Sequence, residues 1–149
     1  GGQKGYAGWH RDSQYWPFWI PDGVFTAWIA LSDVKPESGP VRYIQGSNQW
    51  ENVTGLDFFD KNITEQDKIL QGAHKDYKVI SATIRKGQVS VHSSLTYHSS
   101  IENTSQTSRI GMVVHFCTDY AERISINGEL THYLDEMDNQ SICPTIYKK

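Results

Sequence analysis

The sequence predicts an all-β sandwich or barrel built as one domain. Three observations carry that prediction: five short apolar segments bounded by Gly and Pro turn signals, period-2 alternation within most of them, and only one short helix-like stretch in 149 residues. A chain of this length buries roughly 70% of the surface its unfolded form exposes, so one core suffices. Val24 to Leu31 (VFTAWIAL) is a continuous β-prone run, and the Lys35-Pro36-Glu37-Ser38-Gly39-Pro40 turn ends it. Val41 to Ile44 follows as a short strand. Asn48 to Asp76 is polar and reads as an insertion, residues 48–76, with a short helix over Thr64 to Leu70 that Thr64 could cap. Ile80, Ala82 and Ile84 alternate with polar neighbours, Lys86-Gly87 turns, and Val89 and Val91 alternate again, the pattern of a hairpin. Ile110, Met112, Val114 and Phe116 form the fifth strand. Residues 120–149 read as an irregular tail with a turn at Asn127-Gly128.

Composition removes several functions. The net charge is −3 and no basic block exceeds two residues, so a nucleic-acid backbone has little to hold it. No apolar run approaches the ~20 residues that cross a bilayer, and the Gly-Gly-Gln-Lys start lacks the apolar stretch of a signal peptide. Neither a nucleic-acid nor a membrane partner is expected. Cys117 and Cys143 stand far apart with no Cys-x-x-Cys pair, which fits reduced thiols and a cytoplasmic location. Four Asn-x-Ser/Thr sequons, at Asn52, Asn62, Asn103 and Asn139, would matter only in a secreted protein. The chain starts at Gly1 without methionine, as a fragment or processed product would.

Six histidines include two His-x-Asp triplets, His10-Arg11-Asp12 and His74-Lys75-Asp76. The first lies in an aromatic-flanked stretch where strand alternation would point both side chains to one face. The second lies in a lysine-rich linker, where a solvated pair is expected. A non-haem iron(II) site takes two His and one carboxylate and leaves positions open for reactants. His92, His98 and His115 are the choices for the remaining ligand, with His92 and His115 also readable as core or hydrogen-bonded histidines. Arg109, eleven positions after His98, could aim its fork into the same cavity toward a carboxylate, or make an ordinary salt bridge at a strand start.

From Trp9 to Phe116 the chain resembles the phytanoyl-CoA dioxygenase family of iron(II)- and 2-oxoglutarate-dependent oxygenases. Trp9-His10-Arg11-Asp12-Ser13-Gln14-Tyr15-Trp16-Pro17 is similar to the family's WHxDxxYWP segment, and Ala27 to Asp33 to its next strand. Glu37 to Ser47 is similar to ENGxLxxxPGSH, with Gln45 in place of proline and Asn48 in place of histidine. Gly87-Gln88-Val89, then His98, Ser100, Asn103, Ser105 and Arg109, match GDV…HxSxxNxSxxxR. The resemblance implies a double-stranded β-helix (jelly-roll, cupin-like) in which His10, Asp12 and His98 bind Fe(II). It also implies that Arg109, with Ser100, holds 2-oxoglutarate, and that O2 is the third reactant. The expected reaction hydroxylates an unactivated C–H of a small-molecule or acyl-carrier-bound substrate, releasing succinate and CO2. Halogenating relatives have a small residue in place of Asp12, so its presence favours hydroxylation.

One departure is large: the family's helices and first sheet strand before the His-x-Asp segment are absent or reduced to Gly1 to Gly8. Trp16, Phe18 and Trp19 could then line the substrate mouth or be core aromatics that need a cover, supplied by a second copy or another chain. Gln3 lies near a family glutamine that helps hold the keto acid. Two further readings stay open. One keeps the triad for epimerisation, desaturation or ring closure; the other is a non-catalytic jelly-roll module that binds carbohydrate-like ligands on its aromatics.

Overall fold

Seven strands form two antiparallel sheets in a computed structural model that describes residues 5–16, 23–118, 121 and 136–147. The strands are β1 (Ala7–His10), β2 (Val24–Ala30), β3 (Val41–Ile44), β4 (Val79–Ser81), β5 (Val89–Ser93), β6 (His98–Ser100) and β7 (Gly111–Cys117), and the helix between β3 and β4 is α1 (Ile63–Ala73). One sheet has the order β1-β6-β3-β4 and the other β5-β2-β7. This is the predicted all-β, jelly-roll arrangement, and β7 and β5 are the edges of the second sheet among the described residues. No described helix is long and apolar enough to cross a membrane.

The inner faces of the two sheets meet through polar groups. Ser90 on β5 donates to the Tyr43 hydroxyl on β3 at 2.8 Å, and Thr26 on β2 donates to Asp12 beside β1 at 2.6 Å. Strand alternation explains the assignment, because Thr26 and Trp28 share one face of β2 with their partners His92, Ser90, His115 and Val113. The tightest apolar cluster lies elsewhere. Trp9, Ile44, Leu70 and Tyr97, all fully buried, pack on the outer face of the four-stranded sheet beneath α1, with Trp50, Val53, Leu56 and Ile63 around them. The interior between the sheets is thus left to chemistry.

The segment at 48–76 supplies half of that outer core. Its helix is longer than the sequence pattern indicates, and Asn62 rather than Thr64 caps it, accepting from the Glu65 N–H at 3.2 Å. Gln66, buried at 1% exposure, accepts from the Trp9 N–H at 2.7 Å and donates to the Asp57 carbonyl at 3.1 Å. Gly8 lets this happen, because a Cβ there would collide with the carbonyl of Asp57.

The expected hairpin is corrected. The Ile80 to Val91 stretch divides between the sheets, β4 pairing with β3 and β5 with β2. Ile84 exchanges two backbone hydrogen bonds with Val34, at 2.8 and 3.1 Å, which carries the chain across. Period-2 alternation reports which face a side chain takes, not which strand it pairs with.

Candidate metal centre

His10 closes β1, and Asp12 opens the 3-10 turn Asp12–Gln14 that follows it. Strand alternation therefore does not align the pair, as the sequence reading supposed; the chain curls after His10 and brings the carboxylate back toward the ring. His98 opens β6, directly opposite His10 in the ladder. One donor atom from each of these three residues lies within 4.8 Å of the others.

The hydrogen bonds select those atoms. Nδ1 of His10 lies 2.8 Å from the Gly8 carbonyl, and Nδ1 of His98 lies 2.9 Å from the Thr96 carbonyl. A carbonyl only accepts, so each Nδ1 carries the proton and each Nε2 keeps its lone pair, the arrangement that metal-binding imidazoles adopt. Oδ1 of Asp12 faces both, 4.0 Å from Nε2 of His10 and 3.5 Å from Nε2 of His98. Its other oxygen is engaged elsewhere: Oδ2 accepts from the Thr26 hydroxyl and lies 3.3 Å from Nε2 of His92. One carboxylate oxygen and two imidazole nitrogens thus converge, and the donor set suits a divalent first-row metal.

Electrostatics keep these groups in ligand form. Burial, reinforced by the neighbouring rings of His10 and His92, pushes His98 down to about 3. Burial is also the largest influence on His10 and lowers it. For Asp12 burial acts in the opposite direction, but the His92 ring 3.3 Å from Oδ2, the His98 ring and the Thr26 hydroxyl more than offset it and hold the carboxyl well below its usual range.

Arg109 lies just before β7, with its guanidinium carbon 5.6 Å above the ring of Trp28. Trp28 stands two residues from Thr26 on the same inner face, the face whose Thr26 hydroxyl donates to Asp12. Its Nη1 is buried without a partner, and no described carboxylate lies within salt-bridge reach. Burial lowers its pKa without threatening its charge. A buried Nη1 with no described partner is a donor that a dicarboxylate would satisfy. A Cβ on Gly111 would strike the Trp28 ring, so the arginine's platform depends on that glycine. Ser100 is buried at 7% and shares the inner face of β6 with His98.

The other expectations divide. His74 stacks on Trp50 at 3.9 Å, far from the centre in contacts, and takes no part in the metal cluster. His92 is buried beside Asp12. His115 is exposed, its Nδ1 3.0 Å from the Thr26 hydroxyl. Trp16 packs edge-on against His115 at 4.2 Å and lines a cavity of about 240 Å³ beside His10 and Asp12. Gln3, Phe18 and Trp19 lie outside the described residues. Thr26, Tyr15 and Phe58 were missed by the sequence reading. Thr26 was visible as the one polar residue in VFTAWIAL, and Phe58 as half of an aromatic pair inside a polar insertion.

Known proteins place this arrangement. The phytanoyl-CoA dioxygenase family model matches residues 1–111. The 2-oxoglutarate-dependent carbocyclase SnoK from nogalamycin biosynthesis superposes with a TM-score of 0.61 at 24% identity, over 78% of this chain and 44% of its own. The epimerase SnoN from the same biosynthesis gives 0.59 at 20% identity, over 79% and 41%. EctD from S. alaskensis, solved with 2-oxoglutarate and 5-hydroxyectoine, gives 0.55 at 21% identity, over 76% and 39%. The chain therefore shares the fold of these proteins and spans less than half the length of each. No curated protein matches the sequence.

Proposed function

The chain belongs to the phytanoyl-CoA dioxygenase family, and on that premise we propose that it is an iron(II)- and 2-oxoglutarate-dependent oxygenase. In this reading it hydroxylates an unactivated C–H of a small molecule or acyl-type substrate. The single observation behind the reading is the convergence of two proton-free Nε2 atoms and one free carboxylate oxygen within 4.8 Å. A carbohydrate-type binding module has no use for that convergence.

Iron(II) held by His10, Asp12 and His98 would supply the oxidising chemistry, with O2 and 2-oxoglutarate consumed and succinate and CO2 released as one oxygen enters the substrate. The residues' own parts follow from their contacts. The Gly8 and Thr96 carbonyls fix the two rings, so no rotation is needed before ligation. Thr26 and His92 occupy Oδ2 of Asp12 and favour binding through Oδ1 alone, which leaves a further position open for reactants. Arg109, with Ser100 on the same inner surface, would pair with the distal carboxylate of the keto acid. The presence of a carboxylate at Asp12, where halogenating relatives have a small residue, supports hydroxylation over halogenation.

Mass spectrometry of reactions with a substrate panel, under Fe(II), 2-oxoglutarate and air, tests the reading. It expects succinate and a product one oxygen heavier, both lost on omitting the keto acid. A product of unchanged mass would assign epimerisation, and one two hydrogens lighter would assign desaturation or ring closure. Absence of succinate with every substrate would contradict oxygenase function.

A further inference from the structure

The cavity beside the metal centre has an aromatic wall. Phe58 meets the His10 ring edge-on at 4.7 Å, Tyr15 meets it at 6.0 Å, and Phe59 meets Phe58 at 4.9 Å. Although Phe58 belongs to the polar insertion, both its backbone groups are tied: its N–H donates to the Tyr15 hydroxyl at 3.2 Å, and its carbonyl accepts from the Gly8 N–H at 2.8 Å. Trp16 stands opposite, edge-on to His115. No lysine or arginine is among the described residues of the lining, and its one carboxylate, Asp12, is committed to Thr26, His92 and the metal-facing side.

His115 is the imidazole of that lining that lies outside the metal cluster, and its hydrogen bonding is determined. The Thr26 hydroxyl has one proton and gives it to Asp12 at 2.6 Å. Toward His115 the same oxygen can only accept, so Nδ1 at 3.0 Å must be the donor. In the neutral ring the lone pair then belongs to Nε2, and no described residue donates to it. The ring's outer edge is a fixed hydrogen-bond acceptor on an otherwise aromatic wall.

We propose that Tyr15, Trp16, Phe58, Phe59 and His115 form the substrate subsite, and that it takes a neutral, flat ring system carrying a hydroxyl whose O–H donates to Nε2 of His115. The assignment deepens the oxygenase reading, since it names the substrate class for that centre. A volume of about 240 Å³ suits a small fused-ring compound or one end of a larger one. His115 is a specificity-determining residue in this account, acting on the substrate and not on the metal.

Equilibrium dialysis of the full chain with 2-naphthol, naphthalene and 1-decanol tests it, with Mn(II) and 2-oxoglutarate present and again without them. The wild-type chain should bind 2-naphthol roughly three- to tenfold more tightly than naphthalene, the ratio one net hydrogen bond gives, and more tightly than 1-decanol. His115→Asn keeps an amide N–H for Thr26 but removes the outer acceptor, and should bring the ratio to about one. His115→Gln places an amide oxygen near the lost Nε2 and should restore part of the preference. Phe58→Ala should weaken both aromatic probes by the same factor. Equal affinities in the wild type, an unchanged ratio in His115→Asn, or tightest binding of 1-decanol would each overturn the proposal. Because the ratio is also read without metal, a chain that prefers 2-naphthol but forms no succinate would keep the subsite and lose the oxygenase reading.

Discussion

Thr26 contributes one hydroxyl to the centre, yet it fixes the orientation of two other side chains, Asp12 and His115. Removing that hydroxyl at nearly constant volume isolates its role. Thr26→Val should weaken metal binding about 10- to 100-fold, the range seen when partners of metal ligands are lost, without changing the number of ions bound; an unchanged affinity in calorimetric titration would show that Asp12 orients itself. Arg109 makes a complementary case. Lysine keeps the charge but not the planar fork, so Arg109→Lys should raise the 2-oxoglutarate concentration needed for half-maximal succinate formation while metal affinity holds. An unchanged requirement would make Arg109 structural. At this scale the clustering of His10, Asp12 and His98 was legible in sequence, by residue type and by resemblance. The hydroxyl and ring partners of Asp12 were not, because Thr26 and His92 come from two strands that only tertiary pairing sets beside it.

Among elements, the insertion changes meaning most between sequence and structure. The stretch reads in sequence as a polar insertion, but Leu70, Trp50 and Leu56 cover the outer face of the four-stranded sheet, and Gln66 fastens the helix to β1. Those few apolar residues are spaced by folding of the loop, so no periodicity announces them. Gln66→Leu keeps the volume but leaves the buried Trp9 N–H unpaired, and should cost about 1–3 kcal/mol of stability in denaturant unfolding. No loss would mean that the insertion rests on β1 by packing alone. Five apolar strands were marked in the sequence, whereas β1 and β6, which carry His10 and His98, were not, nor was the partner of each strand, and the crossing at Ile84 is set by a long-range pairing with Val34.

For the whole molecule, the unmet requirement is a cover for the second sheet. On its outer face Val89, Val91 and Met112 are 49%, 61% and 47% exposed, and β7 is an unpaired edge among the described residues. The sequence reading placed the bare apolar surface at Trp16, Phe18 and Trp19, of which Phe18 and Trp19 lie outside the described residues; this sheet carries a further exposed apolar face. The isolated chain is expected to self-associate at micromolar concentration, and Val91→Lys should shift sedimentation toward the monomer. A monomer at all concentrations would show that the face is tolerated in water. The central claim, that one metal ion is held by three residues from β1, its following turn and β6, is tested most directly by anaerobic calorimetric titration of the chain with Fe(II). The account predicts one ion per chain, lost in His98→Ala and retained in His74→Ala. Retention of that ion in His98→Ala, or its loss in His74→Ala, would contradict it.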